Sequence, residues 1–173
     1  MQTFNLSANI ENGFAKGMQY IVTPNAQNVV NNLINGFKTG IHSYTIIGTY
    51  GTGKSSFLLA LEADLDKKNR SKYLLNPKLL SECTEFEILN IVGDYADLSV
   101  LLGRKLNMEG ASNSVLDELK AYYQRLAKEN KFLLLVIDEF GKVLEHAAKN
   151  NPEQELYCLT ELAEFGNVPT RNI

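Results

Sequence analysis

Hydrophobic positions along the chain follow two different periods. Apolar residues recur every three or four positions in several segments, which is the spacing of helices that bury one face. This spacing predicts helices over residues 26–37, 54–65, 98–106, 115–126, 142–149 and 152–165. Capping residues precede three of them, at Thr23, Ser114 and Asn151, and proline follows in the first turn at two.

Three shorter apolar runs predict strands: Ser43–Ile47, Phe86–Asp94 and Phe132–Phe140. The third run contains six consecutive apolar residues between charged ones, a pattern typical of a strand that is buried on both faces in a parallel sheet. Strands and helices alternate along the chain, so we expect an α/β fold with a mainly parallel sheet in a three-layer α/β/α core.

The segment GTYGTGKS lies between the first predicted strand and a predicted helix. It fits G-x-x-x-x-G-K-[ST] through Gly48, Gly53, Lys54 and Ser55. Glycines let the backbone N–H groups surround phosphate oxygens, and the following helix directs its N-terminus at the same point. In this pattern the lysine contacts the β and γ phosphates and the serine ligates Mg²⁺. The predicted nucleotide-binding residues are Gly48, Thr49, Tyr50, Gly51, Thr52, Gly53, Lys54, Ser55 and Ser56.

Two carboxylates end the third apolar run, 84 residues after Lys54. Asp138 would emerge at the carboxyl edge of the sheet, where open α/β folds bind ligands. We expect it to hold the water shell of Mg²⁺ together with Ser55. Glu139 follows directly and is predicted to activate an attacking water. The predicted catalytic residues are therefore Lys54 and Glu139.

These two motifs carry a family resemblance. GTYGTGKSS and LLLVIDEF resemble the Walker A and Walker B motifs of P-loop NTPases, and the Asp138–Glu139 pair resembles the branch with a catalytic glutamate, which includes AAA+ ATPases. The helix that begins at TPN is similar to the segment near the adenine in that branch. The resemblance covers residues 23–173 and leaves 1–22 as an N-terminal extension. The sequence segments IGTYGTGKSSFLLALE and VIDEFGKVLE are also similar to segments of large bacterial ATPases, some from phage-defence or restriction loci.

The same resemblance implies that parts are missing. The branch places a further strand, with a polar sensor residue, between the phosphate-loop strand and the Walker B strand, whereas this chain stops at NVPTRNI. We therefore expect an ATPase core that is incomplete at its C-terminus, with a gap in the sheet. No sensor, arginine finger or lid is assignable, and Arg171 is the only arginine near the end. Weak nucleotide binding and slow hydrolysis are expected of the isolated chain.

Charge and composition limit the classes of molecule that the chain is expected to bind. The net charge is −3, which favours neither nucleic acid nor an anionic membrane as a partner, and the basic cluster Lys67–Lys72 is interpreted as a solvated helix end. The sequence has no apolar run of about 20 residues and no signal peptide, so a cytoplasmic protein is expected. Cys83 and Cys158 match no metal spacing and are interpreted as reduced, structural thiols.

The predicted function is ATP binding and Mg²⁺-dependent ATP hydrolysis by a module of a homo-oligomer or larger assembly. ATP is preferred to GTP because no N-K-x-D sequence is present. Two alternatives stay open: a small-molecule phosphotransferase, and a non-catalytic nucleotide-binding fragment. Three kinds of secondary candidate remain. Asp94 would contact the water shell of Mg²⁺ or form a turn, and Tyr50 would stack on a ligand or cover the loop. His42 and His146 are expected in surface or capping roles, and Tyr122 and Tyr123 in the core.

Overall fold

The computed structural model describes residues 9–13, 19–66, 72–75, 85–108, 114–150 and 152–168. A short 3-10 helix, Ile10–Asn12, precedes six helices and two strands: α1 Pro24–Lys38, α2 Lys54–Leu65, β1 Phe86–Val92, α3 Leu98–Lys105, α4 Val115–Lys128, β2 Phe132–Asp138, α5 Phe140–Lys149 and α6 Pro152–Gly166. The α/β class and all the predicted helices are confirmed. None of the helices in these ranges has the length and apolarity needed to span a membrane.

Two of the predicted helix caps are confirmed. The hydroxyl of Thr23 accepts a hydrogen bond from the N–H of Ala26, and the hydroxyl of Ser114 accepts one from the N–H of Asp117. Each satisfies one of the N–H groups that a helix start leaves unpaired. The third predicted cap, Asn151, lies outside the described residues, as do most of the basic cluster 67–72, Cys83 and Arg171.

β1 and β2 pair in parallel, from Phe86 opposite Phe132 to Val92 opposite Asp138. Side chains alternate across the sheet, and helices cover both faces. Ile88 and Leu134 pack on one face with residues of α1 and α2, whereas Leu89 and Leu133 pack on the other with α4. The prediction that Phe132–Phe140 contains a parallel strand buried on both faces is confirmed for Phe132–Asp138.

The prediction of a strand over Ser43–Ile47 is wrong. Residues 41–49 form no strand, and the described sheet contains β1 and β2 alone. The segment is instead anchored at its start, where the N–H groups of His42 and Ser43 donate to Asn167 Oδ1 at 2.8 and 3.1 Å. An apolar run becomes a strand only when its backbone finds a neighbouring strand, and no described strand pairs with this one. Ile47 is consequently 91% exposed.

A buried carboxylate ties a separate chain segment to α2. Asp64 is 4% exposed and accepts hydrogen bonds from the N–H groups of three consecutive residues, Tyr73, Leu74 and Leu75, at 2.5 to 2.8 Å. These bonds compensate the charge for its loss of water. They also set Leu74 and Leu75 into the hydrophobic cluster between α1 and α2.

The short 3-10 helix is part of the core. Ile10 is 1% exposed and packs with Leu59 of α2 and Val136 of β2. Its carbonyl accepts a hydrogen bond from the Asn90 side chain at 3.1 Å. Residues 9–12, which sequence reasoning assigned to an N-terminal extension, therefore contribute to the same side of the sheet as α2.

Candidate functional site

The glycine-rich loop from Gly48 to Gly53 leads directly into α2. Gly51 and Gly53 have φ angles of 79° and 83°, in the left-handed region that glycine adopts without steric cost. Gly53 stands at the cap position of α2, and no side chain in the described part of the chain caps this helix. Within that part, the first N–H groups of α2 have neither intrahelical nor side-chain acceptors, and the positive end of the helix dipole lies beside them. This local geometry is suited to binding an anion.

The side chain of Lys54 lies over the same loop. Its Nζ donates to the carbonyl oxygens of Gly48 at 2.8 Å and Thr49 at 3.0 Å. The Thr52 hydroxyl donates to the Thr49 carbonyl as well, at 2.8 Å. The loop is thus closed around the ammonium group, which uses two of its three N–H donors on main-chain oxygens. A phosphate that binds there would compete with these two carbonyl oxygens for the ammonium group.

The remaining residues of the predicted loop divide into two kinds. Ser55 and Ser56 lie half-buried in the first turn of α2. Tyr50, by contrast, is 98% exposed. Its ring therefore covers no part of the loop, and the covering role considered for it does not hold in this structure.

Asp138 ends β2 and is only 8% exposed. Its Oδ1 accepts a hydrogen bond from the N–H of Glu139 at 2.9 Å, which orients the carboxylate at the edge of the sheet. The charge of Asp138 also acts on α2. Burial raises the pKa of Glu62, a bond from the Asn90 amide opposes that shift, and the negative charge of Asp138 adds to it. The end of β2 and the helix that follows the loop are therefore electrostatically coupled.

Glu139 has an unusual backbone conformation. Its φ of 51° and ψ of 31° lie in the left-handed region, which costs a residue with a side chain about 1–2 kcal/mol. The β1–β2 junction holds it there, because the N–H of Gly93 donates to the Asp138 carbonyl at 2.8 Å. A Cβ on Gly93 would lie 2.6 Å from the Glu139 carbonyl oxygen, so this close approach requires glycine. Strain of this kind is found at functional sites.

The carboxylate of Glu139 forms an ion pair with Lys142 of α5. The hydrogen bond and charge of Glu139 raise the pKa of Lys142, partial desolvation opposes them, and Asp94 and Tyr50 add smaller upward shifts. The carboxylates of Glu139 and Asp94, which follow β2 and β1, therefore both raise the pKa of this lysine.

Ser55 and Asp138, the two predicted metal ligands, offer oxygen donors of the type that Mg²⁺ binds. In the described ranges no three His, Cys, Asp or Glu side chains form a metal-binding group. Magnesium at phosphates takes only one or two protein oxygens, with phosphate and water oxygens completing its shell. The Ser55 hydroxyl and the Asp138 carboxylate, one of whose oxygens is already oriented by a backbone bond, are ligands of this hard, oxygen-only kind.

The other polar candidates have local roles. Asp94 Oδ1 accepts from the N–H of Tyr95 at 2.8 Å, which is a turn contact. His42 Nδ1 lies 2.9 Å from the Gly166 carbonyl, so this nitrogen carries the proton and donates to the C-terminal end of α6, in agreement with the capping role. His146 Nδ1 and Asp97 Oδ1 lie 3.1 Å apart without the alignment of a hydrogen bond.

The thiol and the tyrosines are structural, as predicted. Burial raises the pKa of Cys158 to about 11, and the charge of Glu155 adds to the shift. This thiol therefore stays protonated at neutral pH. Tyr123 is buried beside Leu119. Tyr122 is half-buried, and its hydroxyl donates a hydrogen bond to Glu87 Oε1 at 3.2 Å.

Sequence reasoning missed Lys142 and the half-buried pair Glu62–Asn90. Lys142 follows Glu139 by three positions, a spacing at which helical side chains meet, so a local signal existed. Glu62 and Asn90 stand 28 positions apart and no sequence signal joins them. The Asn90 amide donates to Glu62 Oε2 at 2.9 Å, while the buried atoms Glu62 Oε1 and Asn90 Oδ1 have no hydrogen-bond partner among the described residues.

The chain matches no protein-family model, and no curated protein or solved structure matches it either. The functional interpretation therefore depends on the residues and geometry of the chain itself.

Proposed function

We propose that this chain binds ATP with Mg²⁺ and hydrolyses it to ADP and phosphate, as a P-loop ATPase module of a larger assembly in the cytoplasm. The observation that carries the proposal is the loop 48–53, whose two left-handed glycines open an uncapped helix while its lysine is held over the loop. An uncapped helix start and an ammonium group at one point are complementary to a polyphosphate.

The carboxylates at the end of β2 support hydrolysis in addition to binding. In the proposed reaction a water oxygen attacks the γ-phosphorus, its proton passes to Glu139, and the bond from the γ-phosphorus to the bridging oxygen breaks to release ADP. Lys54 stabilises charge on the phosphate oxygens. Ser55 and Asp138 would hold Mg²⁺, which neutralises charge on the β and γ phosphates when bound.

The position of Lys54 predicts weak nucleotide binding. Its ammonium group must exchange hydrogen bonds to the carbonyls of Gly48 and Thr49 for bonds to phosphate. The exchange replaces existing contacts, so it subtracts from the gain on binding.

The test uses titration calorimetry for binding and free phosphate release for turnover, both with MgCl₂. The expected results are that Lys54→Ala loses ATP binding and that Glu139→Gln still binds ATP but releases no phosphate. Lys38→Ala, which removes an exposed lysine at the end of α1, should behave as the wild type. Equal binding by wild type and Lys54→Ala would refute the nucleotide site. Phosphate transfer to an added acceptor, without free phosphate, would instead indicate the phosphotransferase.

A further inference from the structure

The side chain of Asn167 joins the end of α6 to the segment that enters the glycine-rich loop. Its Oδ1 accepts hydrogen bonds from the N–H groups of His42 and Ser43, at 2.8 and 3.1 Å. The Nδ1 of His42 donates to the neighbouring Gly166 carbonyl at 2.9 Å. His42 and Asn167 stand 125 positions apart in the chain, so these bonds connect two distant segments of the fold.

Asn167 itself has a fixed position, because it continues α6. Its N–H donates to the Ala163 carbonyl at 3.0 Å. Farther back in α6, Cys158 is buried in one hydrophobic cluster with Val143 of α5, and α5 begins directly after Glu139. The side chain of Asn167 is therefore carried by the pair of helices that follows the predicted catalytic glutamate.

Residues 44–47, which lead to the glycine-rich loop, have no strand pairing to hold them. None of their main-chain groups bonds to another main-chain group in the described ranges. The Tyr44 hydroxyl donates to a carbonyl of α1 at 3.0 Å, and Ile46 packs with the cluster between α1 and α2, but both contacts use side chains. Within those ranges the main chain is held just before this segment by Asn167 and just after it at Gly48, whose carbonyl accepts from the loop lysine.

We propose that Asn167 is a positioning residue, which aligns the glycine-rich loop with the carboxylates at the end of β2. This inference deepens the proposed function and depends on it. The loop and the uncapped start of α2 form the phosphate site locally, so nucleotide binding does not require Asn167. Attack on the γ-phosphorus, by contrast, requires the loop and Glu139 together, and the rate of such a step is sensitive to small errors of alignment. Asn167 therefore acts on hydrolysis more than on binding.

The test measures ATP binding by titration calorimetry and phosphate release in single turnovers, both with MgCl₂ and with protein above its dissociation constant. Asn167→Ala should slow phosphate release about tenfold, less than the roughly hundredfold that a misplacement of about 1 Å can cost, while ATP affinity stays the same. Asn167→Asp keeps an oxygen acceptor for both N–H groups and should restore most of the rate. Asn32→Ala makes the same change at an exposed position of α1 and should match the wild type.

Hydrogen exchange followed by mass spectrometry tests the contact itself, without nucleotide. The amides of residues 42–47 should exchange about tenfold faster in Asn167→Ala, the effect of losing about one to two neutral hydrogen bonds. Asn167→Asp should exchange at nearly the wild-type rate in this segment. The amides of α2 should be unaffected in both variants, because packing between α1 and the sheet holds that helix.

The outcomes separate this inference from the proposed function. Wild-type phosphate release by Asn167→Ala, with Lys54-dependent ATP binding intact, would overturn the inference and leave the nucleotide site standing. A loss of ATP affinity as large as the loss of rate, without recovery in Asn167→Asp, would indicate a merely structural role and overturn it as well. A wild-type protein that binds no ATP, or binds it and releases no phosphate, would overturn both the proposed hydrolysis and this inference.

Discussion

Replacing Gly93 with alanine tests the junction that holds the catalytic candidate Glu139. The added Cβ would lie 2.6 Å from the Glu139 carbonyl oxygen, 2.9 Å from its carbon and 3.0 Å from the Asp138 oxygen. Ordinary contacts begin at 3.4 Å, so the nearest atom must retreat by 0.8 Å (3.4 less 2.6). All three atoms are main chain, and the Gly93 N–H is bonded to one of them. No flexible side chain is available to absorb the shift.

Overpacking of this kind costs about 1–3 kcal/mol, and the lower entropy of the unfolded alanine chain offsets about 0.4–1 kcal/mol of it. We expect Gly93→Ala to lose about 1–2 kcal/mol, which lowers Tm by about 2–8 °C for a protein of this size. Thermal melting by circular dichroism measures the change. The matched control is Gly141→Ala in α5, where a Cβ meets nothing within 4 Å; it should gain about 0.5–1 kcal/mol from helix propensity. A melting temperature for Gly93→Ala within 1 °C of wild type would refute the argument.

Two further changes test one buried and one half-buried carboxyl group. Asp64→Asn should lower the free energy of unfolding, measured in urea, by about 1–3 kcal/mol. The reason is that an amide NH₂ would face the N–H donors of residues 73–75 and leave buried donors unpaired. An unchanged free energy of unfolding would contradict this assignment. Burial raises the pKa of Glu62 above its ordinary 4.5, so its contribution favours folding below pH 4.5 and is lost as pH rises through the native pKa. Glu62→Gln should therefore stabilise the protein at pH 7 and not at pH 4, and the opposite pH dependence would exclude a raised native pKa.

The helices and the two paired strands were predictable because their signals are local. The spacing of apolar residues and the caps at Thr23 and Ser114 depend on a few neighbouring positions. The prediction of a strand over residues 43–47 was wrong for the opposite reason. Their apolar pattern indicates a strand, but a strand also needs a partner elsewhere in the chain, and local spacing carries no information about that partner.

In the candidate site, too, some features follow from local sequence and others depend on contacts between distant segments. The conformation of the loop 48–53 follows from its glycines, and the exit of Asp138 at the sheet edge follows from the length of β2. The left-handed conformation of Glu139, by contrast, depends on its close contact with Gly93, 46 positions earlier. The environment of Glu62 likewise depends on Asn90 and Asp138. Such contacts between distant segments are set by packing and have no signature in either segment alone.

The burial of Ile10 determines where this protein can be shortened. A chain that starts at Tyr20 would keep every predicted motif, yet it would leave a hole beside Leu59 and Val136 where the isoleucine side chain now packs. It would also remove the carbonyl that accepts the Asn90 amide. Since Asn90 also bonds to Glu62, the loss would extend to the helix that begins at the glycine-rich loop. Preparations intended for nucleotide-binding measurements should therefore retain residues 9–12.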